Sequence, residues 1–109
     1  MSYKVKTIPK FDKELKRLAR KYPSLKMEFT ALVDSLEKNA EQGVSLGNNC
    51  YKIRLSIASK GQGKSGGARV ITCVRIIETM VYLLTIFDKA ERENISDKEL
   101  RKLIMEIPK

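Results

Sequence analysis

Apolar and polar positions alternate over residues 3–8, Tyr-Lys-Val-Lys-Thr-Ile, which predicts a short strand. Pro9 ends it and suits the first turn of a helix. Phe11, Leu15, Leu18 and Tyr22 then recur at helical spacing, and Lys10, Lys13, Arg17, Arg20 and Lys21 fall on the opposite face. Pro23 breaks this helix and starts a second, whose stripe is Leu25, Phe29, Leu32, Val33 and Leu36 and which fades at Gly43. Two helices joined this tightly predict a helical hairpin. Residues 44–50 read as a loop.

Strand patterning follows. Tyr51, Ile53, Leu55 and Ile57 share one face, and Lys52, Arg54 and Ser56 share the other. A glycine-rich loop spans 58–68. Another strand covers roughly 69–77, with Val70, Val74 and Ile76 on one face and Arg69, Ile71, Cys73 and Arg75 on the other. Glu78 and Thr79 make a turn. Residues 80–87 are almost wholly apolar, the pattern of a central strand covered on both faces. Ser96 and Glu99 predict a capping box for a last helix, with Ile95 and Leu100 as its staple and Leu100, Leu103, Ile104 and Ile107 as its stripe. The reading is one α+β domain over residues 1–109. An N-terminal strand and a helical hairpin precede a three-stranded antiparallel meander that completes a small sheet, and a C-terminal helix closes the chain.

Composition narrows the function. Of 109 residues, 22 are Lys or Arg and 13 are Asp or Glu, a net charge of +9 that favours a polyanionic partner. Hydrophobic residues at 42% suit a folded chain, and no apolar run reaches the ~20 residues of a membrane span. The start, Met-Ser-Tyr-Lys-Val-Lys, has no apolar segment of a secretory signal, so the expected setting is the cytoplasm, without membrane association. There is no histidine and there are two cysteines, which argues against haem or zinc and leaves no cofactor to expect. Cys50 and Cys73 read as free thiols in a reducing compartment and as small buried hydrophobes, since no histidine activates them.

The cations are concentrated. From Gln42 to Ile77 the chain has no Asp or Glu, yet it carries Lys52, Arg54, Lys60, Lys64, Arg69 and Arg75. Pairing of the two central strands would set Arg69 and Arg75 on the face of Lys52 and Arg54. Like charges side by side cost energy, so a bound anion explains the cluster better than a merely solvated face. Gly63-Lys64-Ser65 is not a nucleotide phosphate loop: Ala58 stands where a glycine is needed, and a strand follows instead of a helix. The loop still offers backbone N–H groups and two lysines to a phosphate backbone. The basic face of the first helix reads as solvated, with ion pairing to Asp12 and Glu14. One reaction suits a cationic cleft without histidine: attack of an RNA 2′-hydroxyl on its neighbouring phosphate, whose transition state gains charge that fixed Arg and Lys stabilise.

The order of elements and three runs carry a resemblance. They are Cys50-Tyr51-Lys52-Ile53-Arg54-Leu55; Gly63-Lys64-Ser65-Gly66-Gly67-Ala68-Arg69-Val70-Ile71; and Val81-Tyr82-Leu83-Leu84 followed by Asp88-Lys89-Ala90-Glu91. Over nearly its whole length the chain resembles the RelE/ParE toxin superfamily, and most of all its RelE/HigB-like branch. The resemblance implies a RelE-like fold and a toxin of a type II toxin–antitoxin pair. It implies a metal-independent mRNA endonuclease acting on the ribosome and inhibiting translation, and a cognate antitoxin as partner. Position by position, Lys52 and Arg54 would contact the RNA backbone and assist catalysis. Arg69 would stabilise the scissile phosphate, and Lys89 is the basic residue after the last strand. Lys60, Lys64, Arg75 and Arg92 complete the candidate RNA-binding set. Ala90 and Ser96 stand where the pattern has an arginine and a tyrosine, so the general base lies open among Lys52, Lys64 and Glu91. Two other readings stand beside this one: a ParE-like toxin that poisons gyrase without catalysis, and a basic RNA- or ribosome-binding module.

Overall fold

The apolar stripes and strand faces close on one another in the computed structural model, which describes residues 2–61 and 66–108. Strand β1 (Lys4–Thr7) leads into helix α1 (Pro9–Lys21), with Pro9 in its first turn as expected. Tyr22 is extended ahead of Pro23, and helix α2 (Leu25–Lys38) follows. Then come β2 (Val44–Gly47), β3 (Cys50–Leu55), a single 3₁₀ turn (Ala58–Lys60), β4 (Ala68–Arg75), β5 (Met80–Asp88) and helix α3 (Asp97–Met105). The strands form one sheet in the order β1-β5-β4-β3-β2, antiparallel except for the parallel pair β1–β5. The α+β reading and the helical hairpin hold.

Two expectations about the strands need correction. Residues 44–50 are not a loop: Val44–Gly47 is a short edge strand paired with β3. Asn48 and Asn49 both have positive φ (55° and 60°), the geometry of a type I′ hairpin turn. Next, β4 stops at Arg75, so Ile76 and Ile77 leave the sheet and lie exposed, Ile77 almost completely. β5 is the central strand that its composition predicts, and every residue from Val81 to Asp88 is buried.

The sheet is covered on both faces. Phe11, Leu18, Leu25, Leu32 and Leu36 from the hairpin join Ile53, Val70, Val81, Leu83 and Ile86 in the core. Phe29 and Val33 of α2 border a groove with Val5, Thr7 and Leu83. Ile104 and Met105 of α3 border another with Cys73, which sits on the alternate rows. The hairpin and α3 therefore take opposite faces. Ser96 caps α3 by accepting the Glu99 N–H at 3.1 Å, but the expected return bond is not formed because the Glu99 carboxylate goes to Arg92. None of the helices is long and apolar enough to cross a membrane, among the described residues.

A buried acid ties these layers together. Asp88 ends β5 and is fully buried. It accepts the Tyr22 hydroxyl at 2.6 Å, the Ala90 N–H at 2.9 Å and the ammonium of Lys60, itself only 8% exposed. Burial alone would raise its pKa, but hydrogen bonds from Lys60, Tyr22 and Ala90 overcome this and hold it at about 2. The folded-state pKa lies below the unfolded one. The stability it contributes is therefore present above about pH 4 and is lost as the pH falls through about 2. Asp88→Asn is expected to cost about 3–5 kcal/mol at neutral pH, because Lys60 keeps a buried charge without its partner. Urea unfolding reads that loss, and the variant should also lack about 2 kcal/mol of the acid-dependent loss between pH 4 and pH 2. An unchanged acid profile would remove Asp88 from this role.

Candidate nucleic-acid interface

Side chains directly opposite in an antiparallel pair share a face, so the register builds the site. Arg54 of β3 lies opposite Arg69 of β4, and Arg69 opposite Phe87 of β5. Two residues along, in the next row on that face, Lys52 lies opposite Ile71, and Ile71 opposite Thr85. The pleat thus brings together Lys52, Arg54 and Arg69, three of the four residues expected to carry catalysis. The paired residues of those two rows include no carboxylate, although Glu14 of α1 accepts from the Thr85 hydroxyl at the end of the second. Arg54 is exposed, Lys52 half-buried, and Arg69 only 3% exposed, with an N–H donated to the Ala68 carbonyl at 3.2 Å. Two guanidinium groups in directly opposed positions repel each other, and an anion bound between them relieves that cost.

The loop after β5 folds over this face. The guanidinium of Arg92 stacks on the Phe87 ring, 4.7 Å from its centroid. Its two terminal nitrogens grip the Glu99 carboxylate at 3.1 and 2.7 Å, and it also donates to the Asn94 carbonyl. This pairing, worked against by burial on both sides, holds Arg92 more firmly protonated and Glu99 below the usual carboxylate range. The side-chain oxygen of Asn94 accepts from Lys52 Nζ at 2.6 Å. Phe87, Asn94 and Glu99 are the members that sequence reasoning missed. Phe87 sits in an apolar run that reads as core, and Asn94 and Glu99 meet their partners only through the fold.

The remaining candidates divide. Lys89 follows Asp88 in the turn that leaves β5. Its N–H donates to the Gly67 carbonyl, and its ammonium lies 3.7 Å from Glu93. Arg92 joins the site through Phe87. Arg75 does not: it stands six residues along β4 from Arg69, roughly 20 Å away at strand rise. There it lines a groove of about 550 Å³ with Asn48, Asn49, Cys73, Arg101 and Ile104. Lys60 is also placed elsewhere, its ammonium engaged by the buried Asp88. Lys64 lies outside the described residues. Of the candidate bases, Glu91 pairs with Arg17 at 3.3 Å and Lys52 is bonded to Asn94. Ala90 donates its N–H to Asp88, and Ser96 is occupied as the α3 cap. On the basic face of α1, Lys10 pairs with Glu14, and Glu14 in turn accepts from the Thr85 hydroxyl at 2.7 Å.

Comparison with known proteins identifies the family and the fold. Residues 8–106 match the family model described as the RelE toxin of the RelE/RelB toxin–antitoxin system. Among solved structures, a mutant of the Escherichia coli toxin RelE in the free state superposes with a TM-score of 0.65 at 14% identity, covering 99% of this chain and 100% of that one. No curated protein sequence matches.

If Arg92 holds the loop down, Arg92→Ala should leave the core intact and free residues 92–99. Amide hydrogen exchange of that segment is expected to quicken about tenfold, with the thermal midpoint lowered by no more than a few degrees. Unchanged exchange there would show that Phe87 and Glu99 do not hold the loop through Arg92.

Proposed function

The chain belongs to the RelE toxin family, and on that premise we propose that it is a metal-independent mRNA endonuclease acting on the ribosome. The observation that carries the reading is the row in which Arg54 faces Arg69, two residues along the strands from Lys52 on the same face, with no carboxylate among the paired residues of either row. Such a site suits a dianionic phosphoryl transition state. The 2′-oxygen of one nucleotide forms a bond to the adjacent phosphorus. The bond to the 5′-oxygen of the next nucleotide breaks, leaving a 2′,3′-cyclic phosphate and a 5′-hydroxyl. Arg69 and Arg54 take the non-bridging oxygens as charge develops there. Lys52 and Lys89 hold the backbone on either side, while Arg92, engaged by Glu99, keeps the loop and α3 over the sheet. The 2′-hydroxyl proton passes to a general base, for which Lys52 and Glu91 are the candidates among the described residues. The cytoplasm is the setting that supplies ribosomes, and a cognate antitoxin is the partner that would keep the toxin silent.

The test is cleavage of a defined mRNA by the purified chain, with and without programmed ribosomes, in EDTA. Cleavage is expected only with ribosomes, to persist in EDTA and to leave cyclic phosphate ends. Arg69→Ala should slow it about 10²–10³-fold while the protein stays folded. Folded wild-type protein that arrests growth without cutting mRNA would overturn the proposal. Salt-sensitive RNA binding without products would then indicate a binding module, and gyrase-dependent DNA breaks a ParE-like action.

A further inference from the structure

Cys50 and Cys73 are directly opposed on β3 and β4. The neighbouring pair is joined by the Val74 N–H to the Asn49 carbonyl at 2.8 Å. In the alternation of an antiparallel ladder, the cysteines therefore occupy a non-hydrogen-bonded position, where Cα atoms are only ~4.5 Å apart. That separation lies inside the range a disulfide spans. Both sulfurs also lie against one acceptor, the Asn48 carbonyl, at 3.5 and 3.9 Å. The two thiols are unequal. Both are buried, Cys50 completely and Cys73 at 2% exposure, but of the two only Cys73 borders the groove formed with Asn48, Arg75, Arg101 and Ile104.

We propose that Cys50 and Cys73 form a peroxide-oxidisable dithiol, with Cys73 as the attacking thiol and Cys50 as the resolving one. The sulfur of Cys73 attacks one oxygen of hydrogen peroxide and breaks the O–O bond. A sulfenic acid forms, and the second oxygen leaves as water. The Cys50 sulfur then attacks the sulfenic sulfur, the new S–S bond forms, and the hydroxyl leaves as a second water. Two thiols are oxidised by two electrons and one peroxide is reduced. The order of events follows from chemistry as well as access. The hydrogen bond from Cys50 and the positive charge of Arg75 favour the thiolate at Cys73 against the opposing effect of burial, while the same hydrogen bond and burial keep Cys50 protonated. The groove beside α3 gives a molecule as small as peroxide a path to Cys73. The covalent loop so closed runs from residue 50 to residue 73. It contains Lys52, Arg54 and Arg69, so oxidation would fasten together the two strands that carry the cationic rows. In a reducing cytoplasm the bridge would be transient, formed under oxidant and reversed by thiols. This inference stands whether or not the cationic rows cleave RNA.

The experiment treats the reduced, folded full chain with millimolar hydrogen peroxide, quenches with catalase, unfolds it and alkylates the remaining thiols before intact-mass analysis. The expected product is a monomer about 2 Da lighter that takes no alkyl group and regains two alkylation sites after dithiothreitol. With dimedone present, Cys50→Ser should be trapped as the Cys73 adduct, and Cys73→Ser should remain unlabelled, each checked as folded by circular dichroism. Wild-type protein that still takes two alkyl groups after peroxide would overturn the proposal. So would a bridge found only between molecules, or a Cys73→Ser variant labelled as fast as Cys50→Ser.

Discussion

The Asp88 carboxylate is fully buried at the end of the central strand, and it survives there as an anion because Tyr22, Lys60 and the Ala90 amide converge on it. Desolvating a carboxylate costs several kcal/mol, so each donor is held in place by the need to offset that cost. The three donors come from different parts of the chain. Tyr22 is the last residue before the break between the helices, so its hydroxyl fixes where the hairpin meets the sheet. Lys60 ends the 3₁₀ turn after β3, and Ala90 begins the chain's exit from β5. Alongside, the Gly67 carbonyl accepts the Lys89 N–H at 3.0 Å. A Cβ on Gly67 would fall 2.1 Å from the Leu55 carbonyl oxygen, so only glycine lets these backbones come this close. The ends of β3, β4 and β5 are thereby locked at the place where the arginines project.

Alternation separates the charges of this end of the sheet. Ala68 pairs with Asp88 in one row, and Arg69 pairs with Arg54 and Phe87 in the next. Adjacent rows point to opposite faces, so the Asp88 charge goes to the hairpin side and the two arginines to the α3 side. The strong acid of the fold meets Lys60 and, at 3.9 Å, Lys21. It does not neutralise Arg54 or Arg69. A pleated strand places an anchoring carboxylate and a cationic surface one residue apart and keeps them independent.

Periodicity reveals which face a residue takes, and for Lys52, Arg54 and Arg69 that was enough to place them together on one side of the sheet. It does not reveal distance along the face. Arg75 shares the alternation of Arg69 but stands at the far end of β4, and only the lengths of the strands show this. Periodicity also fails for short edges. β2 has four residues with little burial, and its one clear signal is the Gly47-Asn48-Asn49 run that forms the turn. Lys60 lies in a glycine-rich stretch that reads as solvent-exposed. Its partner is 28 residues away on a strand whose apolar run hides a buried acid. Glu99 fits a capping box in sequence, yet a guanidinium within reach is a stronger acceptor's partner than a backbone N–H, and Arg92 takes it. The long elements and the cationic face follow from local pattern, whereas the pairing of individual charges follows from tertiary structure.

The partners of the cations in the free chain differ in strength, which bears on the proposed activity. Lys52 is held by the neutral Asn94 amide, through a single hydrogen bond to an exposed acceptor without charge. Arg92 is held by a carboxylate through two hydrogen bonds and by the face of Phe87. A phosphate offers Lys52 an opposite charge as well as an acceptor, which the neutral amide does not. It offers Arg92 less, because Glu99 already supplies a bidentate anion. An arriving RNA backbone would therefore draw Lys52 away from Asn94 before it separated Arg92 from Glu99. The loop that carries Asn94 would be loosened at one contact and held at the other, so Arg92 would keep α3 over the sheet while Lys52, Arg54 and Arg69 turned to the phosphate.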